Sequence, residues 1–344
     1  MNRILFAGGG TAGHIEPAWA VSQVWHQRHP GDEIAFLGTR NGLEVTLIPE
    51  RDGVLYLIPK VVAPRKLNLA ALLFPFRIIN SIIKTSAIVK RFDVVVGFGG
   101  YVAGSAYIAA AILRKPIVVH DQNAKVGLAN KFGAIFTKEI ATAYPNSGLA
   151  GAKVVGNPLK AAIVDAAKQS DWKSARAKAK SELGVVGDLI LILGGSTGSR
   201  AINEVISNSN FGDCTVIHSL GKDNQIPPAT EKYRPVSYIE DMATALIAAD
   251  LVISRSGAIA CTEFAALGKY ALFIPLPIGN GEQALNADEL VAAKKAEVLP
   301  QSEFTSQWLT ANLDRLLKQG SVEPHGTPLN AAELIADCIG RLIK

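Results

Sequence analysis

A histidine follows a glycine-rich turn close to the start of the chain, in the run GGGTAGH at residues 8–14. An apolar strand pattern precedes this turn and a helical pattern follows it, so the turn amides can bind an anion beside the imidazole. The positive end of a helix lowers the pKa of an imidazole, which then stays neutral and can accept a proton. We therefore interpret His14 as a candidate general base. The alternative is a histidine without catalytic function in the first turn of a helix.

A second candidate site lies between Asp250 and Ala287, where two continuous apolar runs flank a Ser256-Gly257 turn and a short helical pattern. Continuous apolar runs are typical of parallel strands that are covered on both faces. The turn leaves the first amides of the following helix available for an anion. Glu263, farther along that helix, can accept two hydrogen bonds from a diol such as a ribose. A further β-α-β unit with a solvated glutamate is the alternative interpretation.

The first glycine turn also matches the G-x-G-x-x-G pattern of dinucleotide-binding folds. An NAD site needs an acidic residue at the end of the second strand as well, and that strand ends in LGTR at residues 37–40. Arg40 can bind a 2′-phosphate, so an NADP-dependent oxidoreductase is retained as an alternative function. A similar turn lies at residues 194–198, and neither turn ends in the Gly-Lys-Ser/Thr of a P-loop. We therefore exclude P-loop ATP or GTP hydrolysis.

A run of four polar residues, His120-Asp121-Gln122-Asn123, follows an apolar strand pattern. Ligands of parallel sheets bind at the carboxyl ends of the strands. We therefore expect all four side chains to face one crevice with His14.

The elements that position these residues form an α/β fold. At 344 residues the chain is long enough for two domains. Strands and helices alternate as far as a break at residues 156–158; a helical stretch follows, and the pattern then restarts at Leu189. We predict two Rossmann-like, doubly wound parallel sheets facing each other across a cleft. The apolar triplet at 134–136 is predicted as a short strand.

Composition limits the class of partner. The net charge of +5 favours an anionic partner. Basic and aromatic residues do not interleave, so we expect no nucleic acid. Three separated cysteines in apolar contexts indicate reduced thiols and no zinc site. The chain enters a strand pattern at once and has no apolar run long enough to span a membrane, so we expect no signal peptide and at most peripheral membrane attachment.

One segment has the composition of an interfacial element. Apolar and basic side chains are mixed there, as in elements that insert into the acyl boundary and bind anionic headgroups. A core helix with a basic outer face is an equally good interpretation of residues 78–88, but a poorer one of residues 72–76, because Pro75 disfavours a regular helix. The predicted membrane residues are Arg65, Lys66, Leu72, Leu73, Phe74, Phe76 and Arg77.

Over nearly its whole length the chain resembles the MurG family of glycosyltransferases, which belongs to family 28. The resemblance rests on the ordered motifs GGGTAGH (8–14), FGGYVAGS (98–105), HDQN (120–123), GNPLK (156–160), GGSTGSRAIN (194–203), YIEDM (238–242), RSGAIACTE (255–263) and GEQALNA (281–287). It implies the GT-B architecture, with an N-terminal domain at residues 1–157, a UDP-sugar-binding domain at 158–327, and a last helix at 328–344 that packs back on the first domain.

The resemblance also implies the activity. The enzyme would transfer N-acetylglucosamine from UDP-N-acetylglucosamine to the C4 hydroxyl of undecaprenyl-pyrophosphoryl-N-acetylmuramyl-pentapeptide, with inversion, on the cytoplasmic face of the bacterial plasma membrane. His14 would be the base, with Glu16 and Asp121 near the same crevice, and we expect neither a metal nor another cofactor. A non-catalytic sugar-nucleotide-binding protein is a further alternative.

Substrate contacts are carried over from the family by position. The uracil would contact Ile239, the ribose Glu263, and the sugar hydroxyls Gln283 and Asn123. The remaining residues would bind the diphosphates or the acceptor: Thr11, Ala12, Gly13, Tyr101, Lys160, Ser196, Ser256, Gly257, Ala258, Ile259, Ala260, Cys261 and Thr262. The chain departs from the family pattern at three positions, where the family usually has Gly at Ala12, Glu at Asp121 and Arg at Lys160. A lysine lacks the two-pronged guanidinium contact, which weakens the diphosphate prediction for Lys160.

Overall fold

The structure, a computed structural model, describes residues 1–61, 74–222, 224–277, 281–320, 324 and 326–343. The chain divides into two compact units. The first unit comprises Met1–Lys160 with Pro328–Lys344, and the second unit comprises Ala161–Thr327.

The first unit contains a seven-stranded parallel sheet in the order β3-β2-β1-β4-β5-β6-β7. Its strands are β1 (Arg3–Ala7), β2 (Glu33–Gly38), β3 (Val54–Leu57), β4 (Val94–Gly97), β5 (Ile117–Asp121), β6 (Ile140–Thr142) and β7 (Lys153–Val154). Its helices are α1 (Ala12–Arg28), α2 (Glu44–Leu47), α3 (Phe74–Val89), α4 (Gly100–Ile112), α5 (Leu128–Gly133) and, at the end of the chain, α14 (Ala331–Leu342). Short 3-10 helices lie at Pro49–Arg51 and Ala134–Phe136.

The second unit contains a six-stranded parallel sheet in the order β10-β9-β8-β11-β12-β13. Its strands are β8 (Leu189–Leu193), β9 (Thr215–Ser219), β10 (Tyr233–Val236), β11 (Leu251–Ser254), β12 (Ala271–Phe273) and β13 (Ala296–Val298). Its helices are α6 (Ala161–Ala167), α7 (Trp172–Glu182), α8 (Arg200–Ser207), α9 (Met242–Ala248), α10 (Ala258–Ala266), α11 (Glu282–Asn286), α12 (Asp288–Ala292) and α13 (Ser306–Leu317). The two sheets confirm the predicted fold class of doubly wound parallel α/β units.

Both sheets have the same winding. In each, the first strand lies beside the fourth, so the chain turns from one half of the sheet to the other between β1 and β4, and again between β8 and β11. Loops diverge at such a switch point, and the carboxyl ends of the two strands there leave a crevice for ligands. The loops after β1, β4, β8 and β11 therefore occupy the positions where this fold binds its ligands.

Apolar side chains cover both faces of the first sheet. On one face Phe6 stacks between Phe36 and Phe98, with ring centroids 5.5 and 6.4 Å apart. This cluster also contains Ile335 and Ile339 of α14, which packs on α1. Both isoleucines are fully buried, and burial of such a side chain stabilises the fold by about 1.5–3 kcal/mol. The last helix is thus part of the core of the first unit.

Four local features differ from the sequence expectations or fall outside the structure. The triplet Ala134–Phe136, predicted as a strand, is a 3-10 helix. The helix after the first glycine turn begins at Ala12, inside the turn motif. α3 begins at Phe74, so Pro75 lies in the first turn, where its missing N–H costs no intrahelical hydrogen bond. The predicted membrane residues Arg65, Lys66, Leu72 and Leu73 lie outside the described residues.

Candidate functional site

The glycine turn after β1 presents His14 at the carboxyl end of the first sheet. Thr11 is the N-cap residue of α1, but its side chain caps no backbone N–H; instead its Oγ1 lies 3.1 Å from His14 Nδ1. Loss of water around the partly exposed ring lowers the pKa of His14, and the negative charge of Glu44 partly opposes that shift. A lowered pKa keeps the imidazole neutral at neutral pH, as a general base requires.

Glu44 is a functional candidate that the sequence reasoning missed. Its Oε2 accepts a hydrogen bond from Gly10 N at 2.8 Å, and its Oε1 accepts from Thr39 N at 2.7 Å and Thr39 Oγ1 at 3.3 Å. The carboxylate thus lies between the glycine turn and the end of β2, although it is contributed by α2. A negative charge here disfavours the 2′-phosphate of NADP. Its position six residues after the strand hid it from a search of the strand end alone.

Tyr101 is brought to the same place by the loop after β4. Gly99 and Gly100 have φ values of 89° and 74°, a left-handed conformation that favours glycine. They lead into α4, so that the Tyr101 hydroxyl lies 3.1 Å from Thr39 Oγ1 and the Lys60 ammonium lies 5.2 Å from the Tyr101 ring centre. The structure therefore brings Tyr101 together with the glycine turn and His14.

The run from His120 to Asn123 does not face one crevice as expected. His120, Asp121 and Gln122 are buried. His120 Nε2 lies 3.0 Å from Gly156 O, and Gln122 Nε2 donates to Phe98 O at 2.8 Å. Only Asn123 of the four is partly exposed. The first three are internal hydrogen-bonding groups because the sheet continues through Asp121.

Asp121 is held by donors from Asn123, Gly127 and Asn130 and is not placed to act as a base. Its carboxylate accepts from Asn123 N at 2.9 Å, Gly127 N at 3.0 Å and Asn130 Nδ2 at 2.9 Å. Burial raises the pKa of Asp121, an effect that these hydrogen bonds oppose. Asp121 therefore shapes the loop that presents Asn123.

Glu16 is likewise engaged in an internal ion pair. It is buried, and its carboxylate lies 2.8 and 3.1 Å from the two terminal nitrogens of Arg51 and 3.3 Å from Lys160 Nζ. Its carboxylate oxygens are thus engaged by cations inside the first unit. This geometry favours His14 over Glu16 as the base, and it places the predicted diphosphate residue Lys160 beside Glu16.

In the second unit, the turn after β11 leads into α10 without a side-chain cap. Gly257 is the N-cap residue of this nine-residue helix. The preceding residue, Ser256, is fully buried, and its Oγ has no hydrogen-bond partner among the described residues. Its carbonyl accepts from Asn286 Nδ2 at 3.2 Å, which fixes the turn. An uncapped helix terminus with an adjacent buried hydroxyl is suited to an anion.

Arg255, next to this turn, connects several loops at the same end of the second sheet. Its guanidinium donates to Ser199 Oγ and Gln301 Oε1, both at 2.7 Å, and to Ile274 O at 2.9 Å. Ser199 is the N-cap residue of α8, whose preceding loop contains Ser196. Burial lowers the pKa of Arg255, but an arginine stays charged in proteins. This role could not be predicted from the sequence, because these acceptors are neutral and lie 19 to 56 residues away along the chain.

The other residues predicted to bind the sugar nucleotide lie on or near α10. Thr262 and Glu263 are partly exposed on the helix, whereas Ala258 and Cys261 are buried and offer only their backbone to a ligand. Burial also raises the pKa of the Cys261 thiol, which keeps it protonated.

Gln283 and Ile239 come from neighbouring segments of the second unit. Gln283 lies on α11, which contacts α10, and its Oε1 accepts from Leu276 N at 3.0 Å. Ile239 is partly exposed in the loop between β10 and α9. Of the residues predicted to bind the sugar nucleotide, those from Ser256 to Glu263 thus lie at or on α10, and Gln283 lies on the adjoining α11. Over the described ranges, no three His, Cys, Asp or Glu side chains are grouped as a metal site would require.

Two family models match the chain. The glycosyltransferase family 28 N-terminal domain matches residues 4–142, and the glycosyltransferase family 28 C-terminal domain matches residues 189–336.

Curated relatives match over nearly the full length. A Corynebacterium diphtheriae protein is 42% identical, with 99% of this chain and 97% of the relative covered, and is named UDP-N-acetylglucosamine--N-acetylmuramyl-(pentapeptide) pyrophosphoryl-undecaprenol N-acetylglucosamine transferase. A Streptomyces coelicolor protein of the same name is 40% identical, with 94% and 90% covered.

Solved structures match as well. The MurG of Acinetobacter baumannii is 30% identical with a TM-score of 0.73, and 99% of this chain and 100% of that chain are covered. A UDP-GlcNAc 2-epimerase from Neisseria meningitidis has a TM-score of 0.59 at 13% identity, with 99% and 100% covered, and this similarity concerns the fold alone.

Proposed function

The chain belongs to glycosyltransferase family 28, and on this basis we propose that it transfers N-acetylglucosamine from UDP-N-acetylglucosamine to undecaprenyl-pyrophosphoryl-N-acetylmuramyl-pentapeptide. The observation that carries the proposal is the α10 segment, where an uncapped helix N-terminus and Glu263 lie on one element. Such a helix offers amides to a diphosphate and a carboxylate to a ribose diol. The names of the full-length relatives support this substrate pair.

We assign the donor to the second unit. The diphosphate would bind the N-terminal amides of α10, the Ser256 hydroxyl and Ser196. Ile239 would contact the uracil, and Gln283 would donate to the sugar hydroxyls through its amide nitrogen, since its Oε1 already accepts from Leu276 N. The buried charge of Arg255 adds to the positive end of the helix.

We assign the acceptor to the first unit. The turn amides of Thr11, Ala12 and Gly13 would face the acceptor's diphosphate, with Tyr101 beside them, and Asn123 would contact sugar hydroxyls. Lys160 is proposed as a further diphosphate contact, with its charge shared with Glu16.

The proposed reaction is a single displacement with inversion. The C4 oxygen of the acceptor forms a bond to the anomeric carbon of N-acetylglucosamine while the bond from that carbon to the UDP oxygen breaks. The hydroxyl proton passes to His14. If His14 Nδ1–H donates to Thr11 Oγ1, Nε2 carries the lone pair that accepts this proton. The α10 terminus and Arg255 stabilise the charge that develops on the departing diphosphate.

We further propose peripheral attachment to the anionic, cytoplasmic leaflet of the plasma membrane. Phe76, Ile79 and Ile83 follow helical spacing on one face of α3 and are 69%, 53% and 63% exposed. The exposed cations Arg77 and Lys84 are on the same helix. Apolar groups beside cations fit an anionic lipid surface. No helix of the described ranges is long and apolar enough to cross a membrane.

A second group of exposed apolar side chains supports the same attachment. It lies on α5 and the 3-10 helix after it, and exposed lysines lie along the same segment. α4 contacts both α3 and α5, so these helices are neighbours in one layer of the first unit. The group, here called the α5 ridge, consists of Leu128, Phe132, Ile135 and Phe136 with Lys125, Lys131 and Lys138.

Release of UDP in the presence of a lipid-linked muramyl-pentapeptide acceptor tests the proposed function. We expect acceptor-dependent release of UDP and a disaccharide product with a β linkage. The variant His14→Ala should lose about 100-fold or more in turnover, with unchanged binding of UDP-N-acetylglucosamine. Binding of the sugar nucleotide without any transfer would instead indicate a sugar-nucleotide-binding protein, and thermal stabilisation by NADPH but not by UDP would indicate the oxidoreductase.

A further inference from the structure

Glu44 has no role in the mechanism described so far, although it is one of the most completely buried carboxylates of the chain. Its side chain is 1% exposed. In the described ranges no Lys, Arg or His nitrogen lies within 4.0 Å of it, so hydrogen bonds from Gly10 and Thr39 are what stabilises its charge. Burying a carboxylate without a cation is costly. The position of this carboxylate is therefore better explained by a role of its charge or its hydrogen bonds at the site than by stability.

The surrounding backbone is built around this carboxylate. A side chain at Gly38 or Gly42 would overlap Glu44, and a Cβ at Gly9 would lie 2.8 Å from Glu44 Oε1. The glycine turn and the loop after β2 therefore close on the carboxylate from both sides. Through Thr39 the contacts continue to Tyr101. One side chain thus fixes three segments that surround His14.

We propose that Glu44 is a positioning residue for the transfer reaction, an assignment that rests on the proposed function. Its carboxylate fixes the turn that leads to His14, and its negative charge stabilises the imidazolium that His14 becomes on taking the acceptor proton. This charge acts through space and through the turn, without a direct hydrogen bond to the ring. The arrangement performs the task that a directly bonded carboxylate performs in a catalytic triad.

Other charged groups near His14 do not replace this effect. On α1, Glu16 is neutralised by Arg51 and Lys160. In the loop after β2, Arg40 is exposed to solvent; α4 contributes the phenol Tyr101, and Lys60 over its ring is a cation, which cannot stabilise an imidazolium. Glu44 is the charged group whose field raises the pKa of His14 against the effect of burial. Removal of that charge should therefore lower the pKa of His14.

The variant Glu44→Gln tests the inference. It keeps the shape, removes the charge and turns an amide nitrogen toward one of the two N–H donors. We expect a lower His14 pKa in an NMR titration of the substrate-free protein. Because the base must be neutral, the acid limb of the kcat profile should shift to lower pH with the pKa, and kcat on the plateau should fall about 10-fold because the base is weaker. Glu44→Asp keeps the charge but holds it one methylene farther back, so its His14 pKa should lie between those of Glu44→Gln and the wild type.

Asp32→Asn is the matched control. Asp32 also accepts a backbone N–H, from Asn2 at 2.7 Å, and a side-chain donor, Trp25 Nε1 at 3.2 Å. It precedes β2, at the end of the sheet away from His14, so its loss should lower stability and leave the His14 titration unchanged.

An unchanged His14 titration in Glu44→Gln would overturn the inference. If Glu44→Gln does not fold, a His14 pKa in Glu44→Asp that is lower than in the wild type supports the inference, because the charge has withdrawn, and an unchanged or higher pKa overturns it. The titration needs no substrate. A wild-type protein that transfers no sugar would therefore contradict the proposed function while leaving the Glu44 test intact.

Discussion

Thr11 Oγ1 lies 3.1 Å from His14 Nδ1, so the hydroxyl at the N-cap position of α1 contacts an imidazole and leaves the helix uncapped. A threonine at this position ordinarily bonds an N–H of the first turn, and its removal costs about 1 kcal/mol. Here the side chain caps none of the first-turn amides, of which His14 N donates to Thr11 O at 3.1 Å, and the ring orientation is fixed. Thr11 therefore orients His14 and does not cap the helix.

Thr11→Val should accordingly lower kcat about 3-fold to 10-fold with little change in the unfolding midpoint, because no cap is lost while the imidazole loses its partner. Thr305→Val is the matched control, since Thr305 Oγ1 does cap α13 by accepting from Trp308 N at 3.1 Å. That variant should lower the midpoint and leave kcat unchanged. Parallel losses of stability in the two variants would contradict the assignment.

Two buried histidines should make the fold sensitive to acid. Burial lowers the pKa of His120 and of His218 to about 4, from 6.5. The unfolded chain therefore binds these protons near pH 6.5, whereas the folded chain binds them only near pH 4. The contribution of these histidines to the free energy of unfolding should be fully present above about pH 6.5. It should be lost as the pH falls toward 4, by about 1.4 kcal/mol per pH unit for each histidine.

Urea unfolding between pH 7 and pH 4.5 measures this slope. His218→Gln removes one titrating group, so its unfolding free energy should fall less steeply with pH, although hydrogen bonds to Tyr233 and Asn203 are lost. His26→Gln changes an exposed histidine and should leave the slope unaltered. Identical slopes in all three proteins would show that His218 is not held neutral by burial.

The sequence predicted those parts of the structure that depend on neighbouring residues. Apolar runs such as Val94–Gly97, each followed by glycines and a helical pattern, predicted the two doubly wound sheets, which are confirmed. The placement of Thr11 and His14 followed from the same local pattern. A run of strand, glycine turn and helix is specified locally, because each element contributes its own apolar face and turn residues.

Longer-range features were not predictable in this way. Glu44 reaches a turn 34 residues away, and Arg255 bonds to acceptors on three other segments. The expectation for His120 to Gln122 was wrong because polarity alone does not distinguish a residue that faces a crevice from one that satisfies the backbone of neighbouring loops.

Arg255 should be needed for the donor site because it holds the cap of α8 beside the end of β12. Arg255→Lys keeps a charge but cannot reach Ser199, Gln301 and Ile274 together. We expect the KM for UDP-N-acetylglucosamine to rise about 10-fold, since the Ser196 loop loses its anchor and a buried charge loses its acceptors. Steady-state kinetics measures the KM, and the melting temperature measures the cost of leaving a buried charge without its acceptors.

Arg315→Lys is the control for this prediction. Arg315 pairs with Glu297 at 2.5 and 2.9 Å in a half-exposed setting, where ion pairs contribute about 0–1 kcal/mol. The KM of the Arg315→Lys variant for UDP-N-acetylglucosamine should match that of the wild type. A normal KM in Arg255→Lys as well would show that the donor site does not depend on this anchor.

The exposed face of α3 should carry membrane binding. Replacing Phe76, Ile79 and Ile83 together by serine removes three apolar side chains that are each more than half exposed, so the fold should be retained. We expect binding to vesicles of anionic phospholipid to weaken about 10-fold or more, because burial of each large side chain contributes about 1.5–3 kcal/mol. Co-sedimentation at increasing lipid concentration measures the change.

The α5 ridge predicts a second, weaker contribution. The double variant Leu128→Ser with Ile135→Ser should reduce vesicle binding less than the α3 variant does. Raised salt should weaken vesicle binding through both segments, because their lysines and arginines bind headgroups electrostatically. Val186→Ser is the control: this valine is 90% exposed but belongs to the second unit. Equal binding by the α3 variant and the Val186 variant would mean that the membrane is bound through another surface.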